Sequence, residues 1–305
     1  MESLIKEKKW ALNSALFAVA IIWGMGTIMM QVAINCRFST VLITLLRFVI
    51  GAVCVGAFVL RDFKKLNRHY LSLGLLCGTM LFLGFFLLQL GLGDTKPSNS
   101  LFLSSCTVIF VPMISWALMK KRPDGKVFRG AVFCLLGVAV LSMDLSGGLS
   151  FSKGDLLTLA SCLVFSCYNS VMGKYSAGLE SLLFTFIQLA AAALWSAVAM
   201  PFFPLDFSVI GASWQGIAAV AVLGVFNTGL CYIIQTTTQK YASPTKVTMI
   251  FSLEAVFGSV FSILFGFEPL TWQLVVGGLI MLLSVLYIEV DLATLFRKSK
   301  SGAAA

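Results

Sequence analysis

Residues 97–140 read PSNSLFLSSCTVIFVPMISWALMKKRPDGKVFRGAVFCLLGVAV, and residues 244–287 read PTKVTMIFSLEAVFGSVFSILFGFEPLTWQLVVGGLIMLLSVLY. A shift of 147 positions, without a gap, aligns Pro97 with Pro244, Ser105 with Ser252, Phe110 with Phe257 and Ser115 with Ser262, then Gly130 with Gly277 and Leu135–Leu136 with Leu282–Leu283. Identities arise easily in so apolar an alphabet, but here the two apolar runs of each stretch also begin and end together. The linkers between the runs differ: Lys120, Lys121 and Arg122 in the first copy face Phe267, Glu268 and Pro269 in the second. Positive charge in one copy and its loss in the other is what two copies of opposite orientation in a membrane require, because basic loops stay on the cytoplasmic side.

The whole chain carries the same signature. Of its 305 residues 59% are apolar and 11% charged, with a mean hydropathy of +0.95. About a quarter of a soluble domain is charged, so this composition excludes most soluble enzyme classes. A membrane-crossing helix needs about 20 apolar residues at about 1.5 Å rise each. Ten runs approach that length, near 11–34, 41–60, 70–91, 98–119, 128–145, 155–174, 181–203, 213–236, 245–266 and 270–289. The fifth is the weakest, trimmed by Arg129 and Asp144. The first follows Lys6, Lys8 and Lys9, as a signal peptide would, but it is too long for a signal h-region and is read as a retained anchor. Trp10, Trp214 and Trp272 stand at span ends, where an interfacial aromatic belt belongs.

The bases test this segmentation independently. With the N-terminus in the cytoplasm, eighteen of the 22 Lys and Arg fall in inner segments, three (Arg37, Lys96, Lys153) in outer ones, and Arg47 lies inside the second span. A miscounted span would mix the two sets from that point on. The expected fold is therefore an all-α integral membrane protein of ten transmembrane helices in two inverted five-helix repeats. The first repeat takes residues 1–147, the second 148–290, and 291–305 form a short tail, with both termini cytoplasmic in the inner membrane. The net charge of +9 is then a topology signal with some attraction to inner-leaflet lipid, and no nucleic-acid partner is expected. The eight Cys form no C-x-x-C pair and His69 is the sole histidine, so neither a disulfide framework nor a metal site is expected. Neither G-x-G-x-x-G nor a Walker loop is present, which removes a nucleotide-driven pump, and no cofactor is expected.

Several short motifs in order resemble the drug/metabolite transporter superfamily, in its EamA-type branch. They are Trp23-Gly24 in the first span, Arg47-Phe48 in the second, Gly154-Asp155 opening the sixth and Ala242-Ser243-Pro244 before the ninth. Ser252-Leu253-Glu254 within the ninth and Gly266-Phe267-Glu268-Pro269-Leu270-Thr271 before the tenth complete the set. The resemblance runs from about Trp10 to Glu289. It departs at Ala255, where the family often has Pro, and in the first half, which lacks a Glu near Lys120. It implies a carrier of small organic solutes (amino acids, their derivatives, nucleotide-linked sugars or amines) working by alternating access.

Polar residues inside the spans are the candidates for function. Glu254 is the one acid deep within a span. Ionised at mid-membrane it would cost about 2.5–3.5 kcal/mol on insertion scales, so it faces protein or a watery cavity. Either it binds a cationic group and exchanges a proton, or it stays protonated and ties down a neighbouring helix. Arg47 suits a carboxylate or phosphate, or else it snorkels to the outer interface or caps carbonyls of a neighbouring helix. Together the two suit the poles of a zwitterion. Trp23 and Thr27 share a helix face, as do Phe82 with Gln89 and Gln188 with Trp195, while Tyr168, Asn227 and Tyr232 bring rings and an amide to other spans. For each of these the competing reading is packing or helix–helix hydrogen bonding. Gly74 and Gly78, four apart, suit close helix approach.

The function these features support is a secondary transporter of amino-acid- or amine-like metabolites, proton-coupled or facilitative, acting as a monomer or homodimer among membrane lipids. It would work by rocking its two halves about a central cavity. The alternative classes are a lipid-handling or otherwise non-transporting intramembrane protein. An intramembrane enzyme would show clustered His, Asp or Ser, which this chain lacks.

Overall fold

The computed structural model describes residues 2–59, 62–92, 94, 103–122, 124–141, 152–203, 213–267 and 269–289. Among them no strand occurs. Ten helices follow in order: α1 Glu2–Asn35, α2 Thr40–Val59, α3 Arg68–Leu92, α4 Leu103–Met119, α5 Gly125–Leu141, α6 Lys153–Tyr175, α7 Ser181–Ala199, α8 Trp214–Thr238, α9 Pro244–Leu264 and α10 Trp272–Glu289. Seven of them, α1, α2, α3 and α6 to α9, are long and apolar enough to cross a membrane, while α4 and α10 are apolar but shorter. The start of the fourth expected span and the end of the fifth lie outside the described residues. The fifth helix begins at Gly125, three residues before the expected run, and Arg129 Nε donates back to the Gly125 carbonyl.

Helix ends follow local chemistry. Ser152 and Asp155 form a reciprocal capping box at the start of α6. Glu180, Ser213 and Ser243 accept a backbone N–H at the starts of α7, α8 and α9, with Pro244 in the first turn of α9. Lys120 closes α4 in the left-handed region, at φ 56°.

Packing obeys a twofold relation between the halves. α1 on α9 is mirrored by α6 on α4, α3 on α6 by α8 on α1, and α3 on α7 by α8 on α2, while α2–α7, α4–α9 and α5–α10 pair across the axis. Each half has five helices, so consecutive crossings place the second half in the opposite orientation. The same relation holds in detail. α9 tightens at Ser252–Leu253, where Leu253 N–H donates to the Ile250 carbonyl at 3.1 Å. α4 tightens at Cys106, whose N–H donates to the Leu103 carbonyl at 3.2 Å. These positions lie 147 apart, as in the sequence alignment. One element breaks the symmetry: residues Leu223–Leu230 of α8 are wound as a π-helix, while α3 is a continuous α-helix.

In lipid, helices associate through close packing rather than through burial from water. Gly78 on α3 sits against Ala191 and the Gln188 carbonyl of α7. Gly24 on α1 is also held against its neighbour: a methyl there would meet Phe257 Cβ at 2.7 Å and the Gly258 nitrogen of α9 at 2.8 Å. Gly24→Ala therefore forces α1 and α9 apart, and thermal unfolding in detergent should report a loss of about 1–3 kcal/mol. Gly125→Ala, with nothing within 4 Å, should leave the midpoint unchanged.

Candidate functional site

The π segment and the tightened turn of α9 mark the part of the protein where five helices converge. π segments and mid-helix 3-10 turns free or redirect backbone groups and commonly accompany functional sites. Within the π segment, Asn227 donates its side-chain Nδ2 to the Ile22 carbonyl at 2.8 Å, and its backbone carbonyl accepts the Trp23 indole N–H at 2.8 Å. These two bonds tie α8 to α1 and fix the Trp23 ring. Its centroid lies 4.7 Å from Phe251, edge-on, and 6.0 Å from Tyr232. Gly26 makes room for the Asn227 side chain.

The next residue, Thr228, anchors Arg47. Arg47 Nε donates to Thr228 Oγ1 at 3.0 Å, from α2 to α8, and the guanidinium carbon sits 4.6 Å from the centroid of Phe85 on α3. Thr228 is fully buried. Neither expected alternative for Arg47 is seen, since its bonding partner is a hydroxyl inside the protein, not the interface or a backbone carbonyl. The bond uses only Nε, and the two terminal nitrogens make no hydrogen bond to a described residue.

Glu254 opens the second segment of α9 just past the tightened turn. It is half-buried and makes no hydrogen bond or ion pair with a described residue; the ion pair found among them is Lys65–Asp62 at 2.6 Å. Glu254 follows Phe251 by three residues on α9, and Phe251 and Tyr232 both pack on the Trp23 ring. An opposed pair held apart, each with unused bonding capacity and with Trp23 and Tyr232 beside it, can engage a ligand carrying both charges. No group of His, Cys, Asp and Glu suited to a metal occurs among the described residues.

Two further sets of polar residues flank this centre. Toward the start of α2, a small cleft is lined by Val41, Thr44, Phe82, Phe86, Gln89, Ser196 and Ala199. Gln89 donates to Thr44 there, and Phe82 stacks on Phe86 with centroids 5.3 Å apart. Thr44 is one turn from Arg47 on the same helix. On the opposite side the residues are closely packed. Tyr168 Oη donates to Gln188 Oε1 at 3.1 Å, Gln188 Nε2 to Thr236 Oγ1 at 3.3 Å, and Tyr168 meets Tyr232 edge-on at 6.4 Å. Beyond them Lys240 donates to the Leu179 carbonyl, and Glu180 N–H to Tyr70 Oη at 2.7 Å. Burial pulls the Lys240 ammonium below the usual lysine range, against the opposing field of Glu180.

Of the residues singled out in the sequence, Arg47, Glu254, Trp23, Asn227 and Tyr232 thus come together. Tyr168 and Gln188 join them through Tyr232, and Phe82 and Gln89 belong to the separate cleft. Thr27 stands apart from the ring cluster: it is exposed, and its hydroxyl donates back to the Gly24 carbonyl at 2.7 Å. Sequence reasoning missed Thr228, Phe85 and Phe251. Thr228 adjoins an amide already suspected, and Phe85 lies one turn from the suspected Phe82, but neither carries a signal of its own in so Phe-rich a chain.

Fold and site together define a multi-pass membrane protein with a duplicated five-helix unit and a polar centre between the copies. The sequence profile of the EamA-like transporter family matches the chain twice, over residues 11–143 and 152–290, and the chain belongs to that family of transporters. A protein of Archaeoglobus fulgidus described as an uncharacterized transporter is 27% identical over 283 residues, which cover 92% of this chain and 87% of that one. A solved crystal structure superposes with a TM-score of 0.78 over 95% of this chain and 98% of its own, at 18% identity, and so shares the fold.

Proposed function

We propose that this transporter is a secondary carrier of zwitterionic, amino-acid-like solutes across the cytoplasmic membrane, with both termini in the cytoplasm. The observation that carries the reading is an opposite pair within the spans beside one ring cluster: Glu254 makes no hydrogen bond or ion pair with a described residue, and Arg47 is held only through Nε, by Thr228, the neighbour of the Asn227 that fixes Trp23. The guanidinium suits the solute carboxylate, because its planar fork can bind both oxygens at once. Glu254 suits the ammonium group, with the faces of Trp23 and Tyr232 as walls. The cleft by Thr44 and Gln89 is the outer approach to Arg47, and the packed Tyr168–Gln188–Thr236 layer closes the inner side. Alternating access then consists of closing the first and opening the second.

The test is flux into proteoliposomes containing the purified protein, with radiolabelled L-amino acids offered one at a time alongside their decarboxylated amines and deaminated acids. The expected result is saturable uptake of at least one amino acid and little of either truncated form. Equal uptake of the amines would remove Arg47 from the site, and absence of any amino-acid flux would sink the reading. Repeating the assay with and without an imposed pH gradient decides between proton coupling through Glu254 and facilitated diffusion.

A further inference from the structure

Three amides, Asn169 half-buried and Gln235 and Gln239 buried, lie between α6 and the inner end of α8. Asn169 Nδ2 donates to the Phe165 carbonyl at 3.0 Å, one turn back on its own helix. That bond fixes which way the amide faces, so Asn169 Oδ1 is the atom turned toward α8. There it accepts two hydrogen bonds, from Gln235 Nε2 at 3.0 Å and Gln239 Nε2 at 3.1 Å. Both glutamines are therefore committed as donors toward Asn169, and the orientation of each carbonyl follows. Gln235 Oε1 and Gln239 Oε1 accept no hydrogen bond from a described residue, although each side chain is buried, at 1% exposure. Two unpartnered carbonyl oxygens one turn apart are an arrangement that native interiors avoid unless something else meets them.

Their place on α8 suggests what that is. Tyr232, Gln235 and Gln239 stand three and seven residues apart along one face, so the amides continue from the ring that borders Arg47 and Glu254 for about 10 Å toward the inner end. The layer they join, Thr185, Gln188 and Thr236, is uncharged and buried. Uncharged carbonyl acceptors without a carboxylate would hold an N–H donor weakly, which suits a group in passage more than one at rest.

We propose that the Gln235 and Gln239 side-chain carbonyls form a second station for the solute's ammonium group, taking over its N–H donors when Glu254 releases them and the inner side opens. The proposal rests on the zwitterion reading of the Arg47–Glu254 centre. It requires the solute to carry N–H hydrogens and not merely positive charge, since a fully methylated ammonium offers a carbonyl nothing to accept.

The experiment uses the amino acid with the highest flux in the liposome assay. For the double variant Gln235→Leu, Gln239→Leu, equilibrium affinity for that amino acid should stay within about twofold while flux falls about tenfold or more, the scale of losing one or two neutral hydrogen bonds. Flux at the parent rate would overturn the station and leave the centre standing. A parallel measurement on the unmodified protein covers the case of a variant that does not fold. The N,N,N-trimethyl derivative of the same amino acid should still displace the parent compound from the purified protein, more weakly because Glu254 keeps the charge but loses the hydrogen bond, and at saturating concentration should cross about tenfold more slowly, as its three donors are gone. Crossing at the parent rate would overturn the station. Failure to displace at all would count against the centre, where charge and aromatic faces hold the ammonium, and the station would fall with it.

Discussion

Glu254→Gln should leave a folded protein that binds and carries its solute poorly. Glutamine matches the size of the residue and keeps a carbonyl and a hydrogen-bonding end, while removing the negative charge and the exchangeable proton. Glu254 bonds to no described residue, so the change breaks no observed structural contact. It also removes a carboxylate whose ionised form at this depth costs about 2.5–3.5 kcal/mol, so thermal stability should hold or rise. Binding should weaken by the worth of a charge-assisted hydrogen bond, about 1.5–3 kcal/mol, or about 10–150-fold in Kd. Any dependence of flux on a pH gradient should vanish in the same variant. Titration of the detergent-solubilised protein with amino acid, beside thermal unfolding, separates the outcomes. A protein that unfolds early and binds nothing would make Glu254 a structural residue, and unchanged uptake with unchanged pH response would remove it from the site.

What the sequence makes legible is one-dimensional. Lys and Arg placement gives the helix count, because each crossing changes the side on which charge is tolerated, and most described helix ends agree with the apolar runs to within a few residues, except that α1 begins at Glu2, well before the run that opens near residue 11. The repeat is legible too, whereas the shared tightening near Cys106 and Leu253 is seen only in the structure. Which helices touch is not legible, since lipid-facing and protein-facing surfaces are equally apolar. That gap matters for the mechanism. A rocking of residues 1–147 against 148–290 treats each repeat as a packed body, whereas the main helix contacts run between repeats: α1 on α9, α3 on α6 and α7, α5 on α10. The buried clusters cut across the halves as well. One joins Phe48, Leu81, Tyr168 and Phe184 from α2, α3, α6 and α7, and another joins Leu16, Cys134, Ile250 and Met281 from α1, α5, α9 and α10. We propose that the moving bodies follow these clusters, with α8 reaching both through Tyr232 and Cys231. At the site, periodicity groups residues that share a helix face, as with Trp23 and Thr27, but says nothing of the partner across the gap. Trp23 and Arg47 depend on a π segment that only tertiary packing on α1 and α2 reveals.

Arg47→Met should cost about as much affinity as the loss of Glu254, and Arg47→Lys should recover only part of it. Lysine restores the charge but has no Nε to donate to Thr228 and no planar group to lie over Phe85. It also cannot fork onto two carboxylate oxygens. A single charged contact of about 1.5–3 kcal/mol is at stake, so Arg47→Met should weaken amino-acid binding about 10–150-fold. The loss has to be specific to be meaningful. The decarboxylated amine of the same amino acid has nothing for Arg47 to hold, so its weaker binding should be unchanged in Arg47→Met, and the parent's preference for the amino acid over the amine should disappear. Thr228→Val separates anchoring from contact: it keeps the shape and charge of the site, frees the guanidinium from its tether and should reduce amino-acid affinity by less than Arg47→Met. If Arg47→Met instead weakened amine and amino acid equally, the guanidinium would be acting on the architecture of α2 and α8 through Thr228, and the carboxylate would have to be bound elsewhere.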